Sequence, residues 1–313
     1  MASINTNASA MTALQTLNTI SKNMATTQSR ISTGLRVAEA SDNAAYWSIA
    51  TTMKSDNKAN SVVQDAMGLG AGKVDTAYTA MNDAIGVVDQ IKEKVLLAKS
   101  ASSEDRAKIQ SEITALQSHL SDSIGSASYA GQNLLKTDST STTDTKLSVI
   151  SSYNRSAAGA VTTGTIDVTY NATRLIDTNV AAAGILDKGG TASGASILTI
   201  DVVALTQDDG STAVTGATES AQFDNMLTDI ETALSDMATG AASLGAAKSR
   251  IDLQKEFVSK LSDAIERGVG QLVDADMNEE SARLSALQVQ QQLGVQALSI
   301  ANSNSQNILS LFR

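Results

Sequence analysis

The sequence predicts a mainly α-helical protein. Its N- and C-terminal halves form long antiparallel coiled-coil rods, with a small β-rich insertion at the outer end. Three observations lead there. Gly70, Val74, Ala77, Met81, Ala84, Val88, Ile91, Val95 and Ala98 alternate spacings of four and three without a break, the 3.5-residue period that keeps one seam against a partner helix. The same period returns after Leu227, beyond a stretch rich in Thr, Ser and Gly. Proline is absent from all 313 residues, where ordinary usage of about 5% gives roughly 16, and proline is the residue that breaks long helices.

The elements follow in order. Residues 3–35 carry Ile4, Ala8, Met11, Leu14, Leu17, Ile20, Met24, Ile31 and Leu35 at helical spacing. Their Asn, Ser and Thr neighbours are poor helix formers, so this helix is ordered by packing. Gly34 and Ala40–Ala45 interrupt it, and the first long rod runs from residue 44 to 100. Ser102, Glu104 and Asp105 open the next helix, with a Ser cap and acids in the first turn. Its seam is Ile109, Ile113, Leu116, Leu120 and Ile124, and it ends at Tyr129–Asn133.

From residue 136 to 220 the helical period disappears. Lys146–Ile150 and Thr165–Tyr170 alternate as the arms of a β-hairpin. Ser196–Leu205 is a further strand candidate, followed by the turn Asp208-Asp209-Gly210-Ser211. The second rod then runs along Leu227, Ile230, Leu234, Met237, Ala241, Leu244, Ile251 and Val258, with Lys248 and Lys255 in the intervening seam positions. Leu261, Ile265, Val269 and Leu272 continue it, and a break falls within 275–280.

The last helix has two apolar stripes. One is Leu284, Leu287, Gly294, Leu298, Ala301, Ile308 and Phe312; the other is Val289, Leu293 and Ile300. A surface helix shows one such stripe. Two stripes, at an end where chains are usually loosest, call for a partner, most simply other copies of the chain.

Composition narrows the function. With no Cys there is no disulfide, thiolate metal site or cysteine nucleophile. A net charge of −10 argues against nucleic acid and anionic membranes. There is no run of apolar residues long enough to span a bilayer, so membrane insertion is not expected. The N-terminus lacks the basic start and apolar core of a cleaved signal peptide. The single histidine, His119, lies on a helix beside Leu116 and Leu120 and suits neither catalysis nor metal binding. Asp42 with Asn43, and Asp274 with Asp276, read as helix ends, and Glu279-Glu280 as a charged face. The glycines of Gly68–Gly72 lack the strand and Lys of a phosphate loop and read as close helix packing or a local weakness. Tyr46 and Trp47 read as a packing plug where a terminal helix meets the rods. The methionines fill gaps at helix interfaces. No constellation supports an enzyme, and no cofactor is expected.

Several motifs at both ends name a family. They are Ile4-Asn5-Thr6-Asn7, Arg30-Ile31-Ser32-Thr33-Gly34-Leu35-Arg36-Val37 and Ala40–Ala45; then Leu244–Ile251, Ala275-Asp276-Met277 and Gln306–Arg313. In this order they resemble bacterial flagellin, the flagellar filament subunit, of the α-proteobacterial type. The resemblance implies an extracellular filament of many copies, exported unfolded without a cleaved signal. It also implies an export chaperone, a filament cap, hook-junction proteins and other flagellin isoforms as partners. Rival readings are a hook–filament junction protein and a signalling coiled coil.

The layout then divides into an inner-tube domain (1–44 and 272–313), a rod domain with a β-hairpin (45–176 and 220–271) and a small outer domain (177–219). Expected inter-subunit packing residues are Ile4, Met11, Leu14, Leu17, Ile20, Leu35, Leu284, Leu287, Leu293, Leu298, Ile300, Ile308, Leu311 and Phe312. Expected rod contacts are Arg30, Val88, Ile91, Val95, Ile113, Leu116, Leu120, Leu234, Leu244 and Ile251. Many flagellins present an Arg and a Leu to a Toll-like receptor. By the resemblance those places hold Gln90 and Lys94 here, which implies weak recognition.

Overall fold

A computed structural model of the chain describes residues 7–141, 145–156, 158–179, 182–205 and 219–311. Among the described residues five α-helices and four strands follow in order: α1 (Ala8–Thr33), α2 (Ala44–Ser100), α3 (Ser103–Ser126), β1 (Lys136–Thr137), β2 (Lys146–Arg155), β3 (Val161–Thr169), β4 (Ile176–Asp177), α4 (Glu219–Val273) and α5 (Met277–Leu311), with one 3-10 turn at Tyr170–Ala172. The turn Asp208–Ser211, with Ile4 and Phe312, lies outside the described residues. Residues 1–58 with 262–313 form one compact unit, and residues 59–261 form another. α2 and α4 contribute to both.

In the second unit α2 and α4 run antiparallel, joined by ion pairs Asp75–Lys248, Lys92–Glu231 and Lys99–Asp224. The expected α2 seam is the core: Val74, Ala77, Met81, Ala84, Val88, Ile91, Val95 and Ala98 are fully buried. α3 returns along α2, with Ile113, Leu120 and Ile124 buried and Leu116 packed beside them. The Ser102 side chain accepts from Asp105 N at its start. Its end turns at Ala130 and Gly131, both at positive φ. There the Asn133 side chain accepts from Leu135 N and Lys136 N while donating to the Ile124 carbonyl.

The buried face of α4 is wider than the expected seam. Ile230, Met237, Leu244, Ile251 and Val258 are buried at seven-residue intervals, Ala241 is buried with them, and Leu227 and Leu234 pack against the core. A second line, Met226, Ala233, Gly240 and Ala247, is buried one residue before Leu227, Leu234, Ala241 and Lys248, and Gln254 continues it before Lys255. Loop backbone lies on that line: a Cβ on Gly240 would stand 2.7 Å from the Ala172 carbonyl. Gln254 donates to the Ser151 carbonyl at 3.0 Å. Lys248 instead reaches sideways to Asp75, and Lys255 is exposed.

β2 and β3 form the expected antiparallel hairpin, and β1 pairs in parallel with β4. The hairpin strands extend beyond the alternating segments, to Arg155 and from Val161. Past an irregularity between Ile150 and Ser152 the ladder continues; there Ser152 and Tyr153 are both half-buried and Asn154 and Arg155 exposed, so alternation no longer marks it. Leu147, Val149, Ile166 and Val168 point inward. The glycines of 68–72 serve close packing: a Cβ on Gly70 would stand 2.5 Å from both Val149 methyls, and one on Gly72 3.0 Å from the Tyr129 ring.

Residues 196–205 are turns, not a strand. Side chains close them. Ser196 N donates to Thr199 Oγ1 (3.2 Å), and Asp201 Oδ1 accepts from Val203 N (2.7 Å) and Ala204 N (2.9 Å). Such side-chain bonds outcompete a strand ladder, while Ile197, Ile200, Val202 and Leu205 are buried. The loop before them is held by Asp229 of α4, whose carboxylate accepts from Ala192 N and Ser193 N. Asp177 holds the loops beside β4. Burial opposes its charge, but hydrogen bonds from Ser139, Asn179 N and Ala183 N outweigh that and keep its carboxyl well below the usual carboxylate range.

Arg106 closes the end of this unit where α2 stops. Its Nε donates to the Ala98 carbonyl (3.1 Å), its Nη1 pairs with Glu219 (3.3 Å), and its guanidinium lies 5.0 Å from the Phe223 ring centre. One side chain thus caps α2, starts on α3 and meets α4.

Gly70→Ala forces the hairpin off α2 and is expected to cost about 1–3 kcal/mol, the usual penalty of overpacking. Thermal unfolding followed by circular dichroism measures it. In the Gly70→Ala, Val149→Ala double variant the clash is gone, so the two losses are expected to add up to less than their sum.

Candidate assembly interface

The terminal unit is built on two helix–helix joints. α1 ends at Gly34, in the left-handed conformation at φ 72°, with its N–H on the Arg30 carbonyl. Arg36 N and Val37 N donate to the Val273 carbonyl at 2.7 and 3.2 Å, and Ala275 N donates to the Gly34 carbonyl at 2.9 Å. The two chain breaks therefore brace each other. Around them Val37, Ala50, Val269 and Val273 are buried, with Leu35, Met53, Ile265 and Leu272 packed on them. Asp42 Oδ2 accepts from Ala38 N and Glu39 N, and the Asn43 side chain caps α2 by accepting from Ala45 N and Tyr46 N. Those backbone bonds lower the Asp42 carboxyl below its ordinary value. Asp276 Oδ1 caps α5 in the same way.

From these joints α1 and α5 run antiparallel. Asn7 Nδ2 donates to the Ala301 carbonyl (3.0 Å), Gly294 lies against Leu17 and Ile20, and Arg30 pairs with Glu280 (3.2 Å). The first stripe of α5 is spent on this pairing: Leu287 is buried, and Leu284, Gly294, Leu298 and Ala301 are half-buried. On α1 the matching line is Leu17, Ile20, Met24, Thr27 and Ile31. Gly294 allows Leu17 Cδ1 to come within 3.5 Å of where a Cβ would stand.

The second stripe is left uncovered among the described residues. Val289, Leu293 and Ile300 are 55%, 57% and 63% exposed. Met11 and Leu14 of α1 are likewise exposed. Of the residues expected to pack between copies, Met11, Leu14, Leu293 and Ile300 are thus free-standing, whereas Leu17, Ile20, Leu35, Leu284, Leu287 and Leu298 pack within one copy. Ile308 and Leu311 fall in α5, but their side chains lie outside the described residues. Val295 is also 54% exposed, but at 3.6 residues per turn it points away from the Val289, Leu293 and Ile300 stripe and belongs to neither stripe.

The expected rod contacts Val88, Ile91, Val95, Ile113, Leu120, Leu244 and Ile251 are buried inside a single copy, with Leu116 and Leu234 beside them. Arg30 lies in the terminal unit, not among them. Its partner Glu280 is only 5% exposed, which corrects the reading of Glu279-Glu280 as a charged face. Glu279 does face solvent, where it pairs with Arg283. Tyr46 and Trp47 are not a plug: they keep 42% and 38% of their surface exposed, because Ala50 and Met53 one turn further on enter the core. His119 is exposed. Among the described residues no group of acids or His is placed to hold a metal ion, and no helix is long and apolar enough to cross a membrane.

Among the described residues this helix pair buries one apolar stripe and displays another, an arrangement that suits a structural subunit packed against other chains. Comparison with known proteins agrees. The family description "Bacterial flagellin N-terminal helical region" matches residues 4–140, and "Bacterial flagellin C-terminal helical region" matches residues 227–312. The chain is 54% identical to a flagellin of Brucella melitensis biotype 1, and 48% identical to flagellin C of Rhizobium meliloti, strain 1021, over the full length of each. A solved structure assigned to a flagellar hook-associated protein of Vibrio parahaemolyticus shares the fold at a TM-score of 0.51 and 13% identity, over 74% of this chain and all of that one. The chain belongs to the bacterial flagellin family, structural proteins, not enzymes, that polymerise into the extracellular flagellar filament.

Arg30→Gln strips the buried Glu280 of its cross-helix partner. Allowing for the part-exposed Arg30, the cost is about 1–3 kcal/mol. Hydrogen exchange is expected to quicken along α1 and α5 while the core of residues 59–261 keeps its protection.

Proposed function

We propose that the open face of the α1–α5 pair is the surface by which copies bury one another in the filament. Val289, Leu293 and Ile300 of α5 supply it together with Met11 and Leu14 of α1, and their joint exposure on one helix pair carries the reading. Ile4, Ile308, Leu311 and Phe312 belong to the same reading as further packing residues between copies. In this reading residues 1–44 and 272–313 line the inner tube. Residues 45–176 and 220–271 form the surrounding rod layer, and 177–219 form the outermost part. Each copy reaches the filament tip through the flagellar export route without a cleaved signal. On the way it meets an export chaperone, then the cap and hook-junction proteins; other flagellin isoforms are possible neighbours in the filament.

Apolar burial drives the association, at about 25 cal/mol per Å2 removed from water. Polymerisation in ammonium sulfate, measured by sedimentation, tests it. The full chain is expected to form filaments; a chain lacking residues 284–313 is expected to stay soluble and partly helical. Filaments from the truncated chain would sink the proposal. Leu293→Gln with Ile300→Gln leaves the α1–α5 stripe intact, and raises the critical concentration by more than tenfold, since each apolar side chain contributes about 1.5–3 kcal/mol when buried.

Gln90 and Lys94 support weak recognition by the Toll-like receptor that detects flagellin. Gln90 is exposed, and Lys94 is tied to Glu112 of α3. Monomers are expected to activate receptor-bearing reporter cells poorly. Potent activation overturns that assignment.

A further inference from the structure

The unit formed by residues 59–261 holds a cleft of about 200 Å3 between α4 and the loop of residues 183–197. Its walls are held by the chain's own bonds. Gly190 N donates to the Ala195 carbonyl (2.9 Å), Gly194 N to the Gly190 carbonyl (3.0 Å), and Leu186 N to the Leu175 carbonyl (2.9 Å). The Asp229 carboxylate, 6% exposed, accepts from Ala192 N and Ser193 N at 3.1 and 2.7 Å. Gly190 packs so tightly on it that a Cβ there would stand 2.1 Å from Asp229 Oδ2. Sites for small molecules are usually formed in advance in this way.

The lining combines three kinds of chemistry. The α4 wall supplies acceptors: Asp229 and Asp236 lie two turns apart on one helix face, with Thr232 between them. Thr232 Oγ1 donates to the Thr228 carbonyl at 2.9 Å, which leaves its own lone pairs unused. The loop wall supplies a cation, the exposed Lys188. It also supplies apolar surface, from Ile185, Ala195 and Ile197. Among the described residues Asp229, Asp236 and Lys188 form no ion pair. A buried carboxylate is costly unless it is both hydrogen-bonded and paired, and Asp229 has the hydrogen bonds alone.

We propose that this cleft binds a free aliphatic α-amino acid. The ammonium group of the ligand donates to Asp229, Thr232 and Asp236. Its carboxylate meets Lys188, and its side chain lies on Ile185 and Ile197. Simpler ligands fit less of the lining. An anion such as phosphate faces two carboxylates, a plain amine faces Lys188, and a hydrocarbon leaves all three charges unmatched. Size agrees: the cleft has room for about seven waters at about 30 Å3 each, below the roughly 300–1,000 Å3 that drug-sized ligands occupy. The proposal does not depend on the filament reading.

Equilibrium dialysis of the full chain against radiolabelled L-leucine tests it, and reads monomer and polymer alike. Saturable binding of one leucine per chain is expected. Isopentylamine lacks the carboxylate of leucine, and isocaproate lacks its ammonium group. As competitors each is expected to bind about tenfold or more weakly, the effect of losing one charge-assisted hydrogen bond. Asp236→Asn and Lys188→Ala are each expected to weaken leucine binding by a similar factor. Both replace exposed side chains, and an unchanged circular dichroism spectrum shows that the fold is kept. Should a variant fail to fold, the two competitors still decide on the wild-type chain. Absence of saturable leucine binding overturns the proposal. So does leucine binding that both folded variants leave unchanged. Isopentylamine that competes as well as leucine, and better on Lys188→Ala, overturns it too, since the cleft is then a site for cations.

Discussion

The seam between α2 and α4 is the constraint on which the larger unit depends. It is built from Val, Ile, Leu, Met and Ala, with Phe223 at its end. Small side chains let the two helices run close for many turns, and a helix without proline need not break. Everything else in this unit fills the groove beside the seam. α3 occupies one stretch, and the hairpin occupies the next. Where the second layer comes nearest, the helices carry glycine: Gly70 under Val149, Gly72 under Tyr129 and Gly240 under the Ala172 carbonyl. The glycines that resemble a phosphate loop in sequence are thus places where backbone is brought close to a side chain.

The heptad was most legible in α2, where every seam residue from Val74 to Ala98 was readable from spacing. α4 is packed by α2, the hairpin and the 170–205 loops together, so its buried face is wide. Apolar side chains at Leu227, Leu234 and Ala241 showed one edge of that face; the other edge, through Met226, Ala233 and Gly240, contains a glycine and small residues and did not stand out. Ser196–Leu205 was misread for a related reason. Its alternation is real, but Ser196, Thr199 and Asp201 bond to nearby backbone and wind the segment into turns. Glu280 shows the limit of reading charge locally, since its partner Arg30 is 250 residues away.

The terminal unit obeys the opposite logic. α1 and α5 have more apolar surface than their mutual contact can use. The sequence shows the surplus as two stripes on α5, but not which stripe the chain keeps for itself. Geometry decides: the line through Leu287 and Gly294 admits Leu17 and Ile20 closely, because Gly294 has no side chain. The stripe through Val289, Leu293 and Ile300 offers no such recess and stays outward.

That division couples folding of the ends to assembly. α1 is rich in Asn, Ser and Thr, several of whose hydroxyls bond back to the carbonyl four residues earlier, a habit that does not strengthen a helix. Its order therefore rests on burial, and pairing with α5 provides part of that burial. In the proposed contact a neighbouring copy adds to it and binds only the folded pair, so it would stabilise that pair by mass action. The free energy that completes the terminal helices would then be the same free energy that adds a subunit, and dilution would weaken both together. The larger unit, with its seam closed within one copy, has no such dependence.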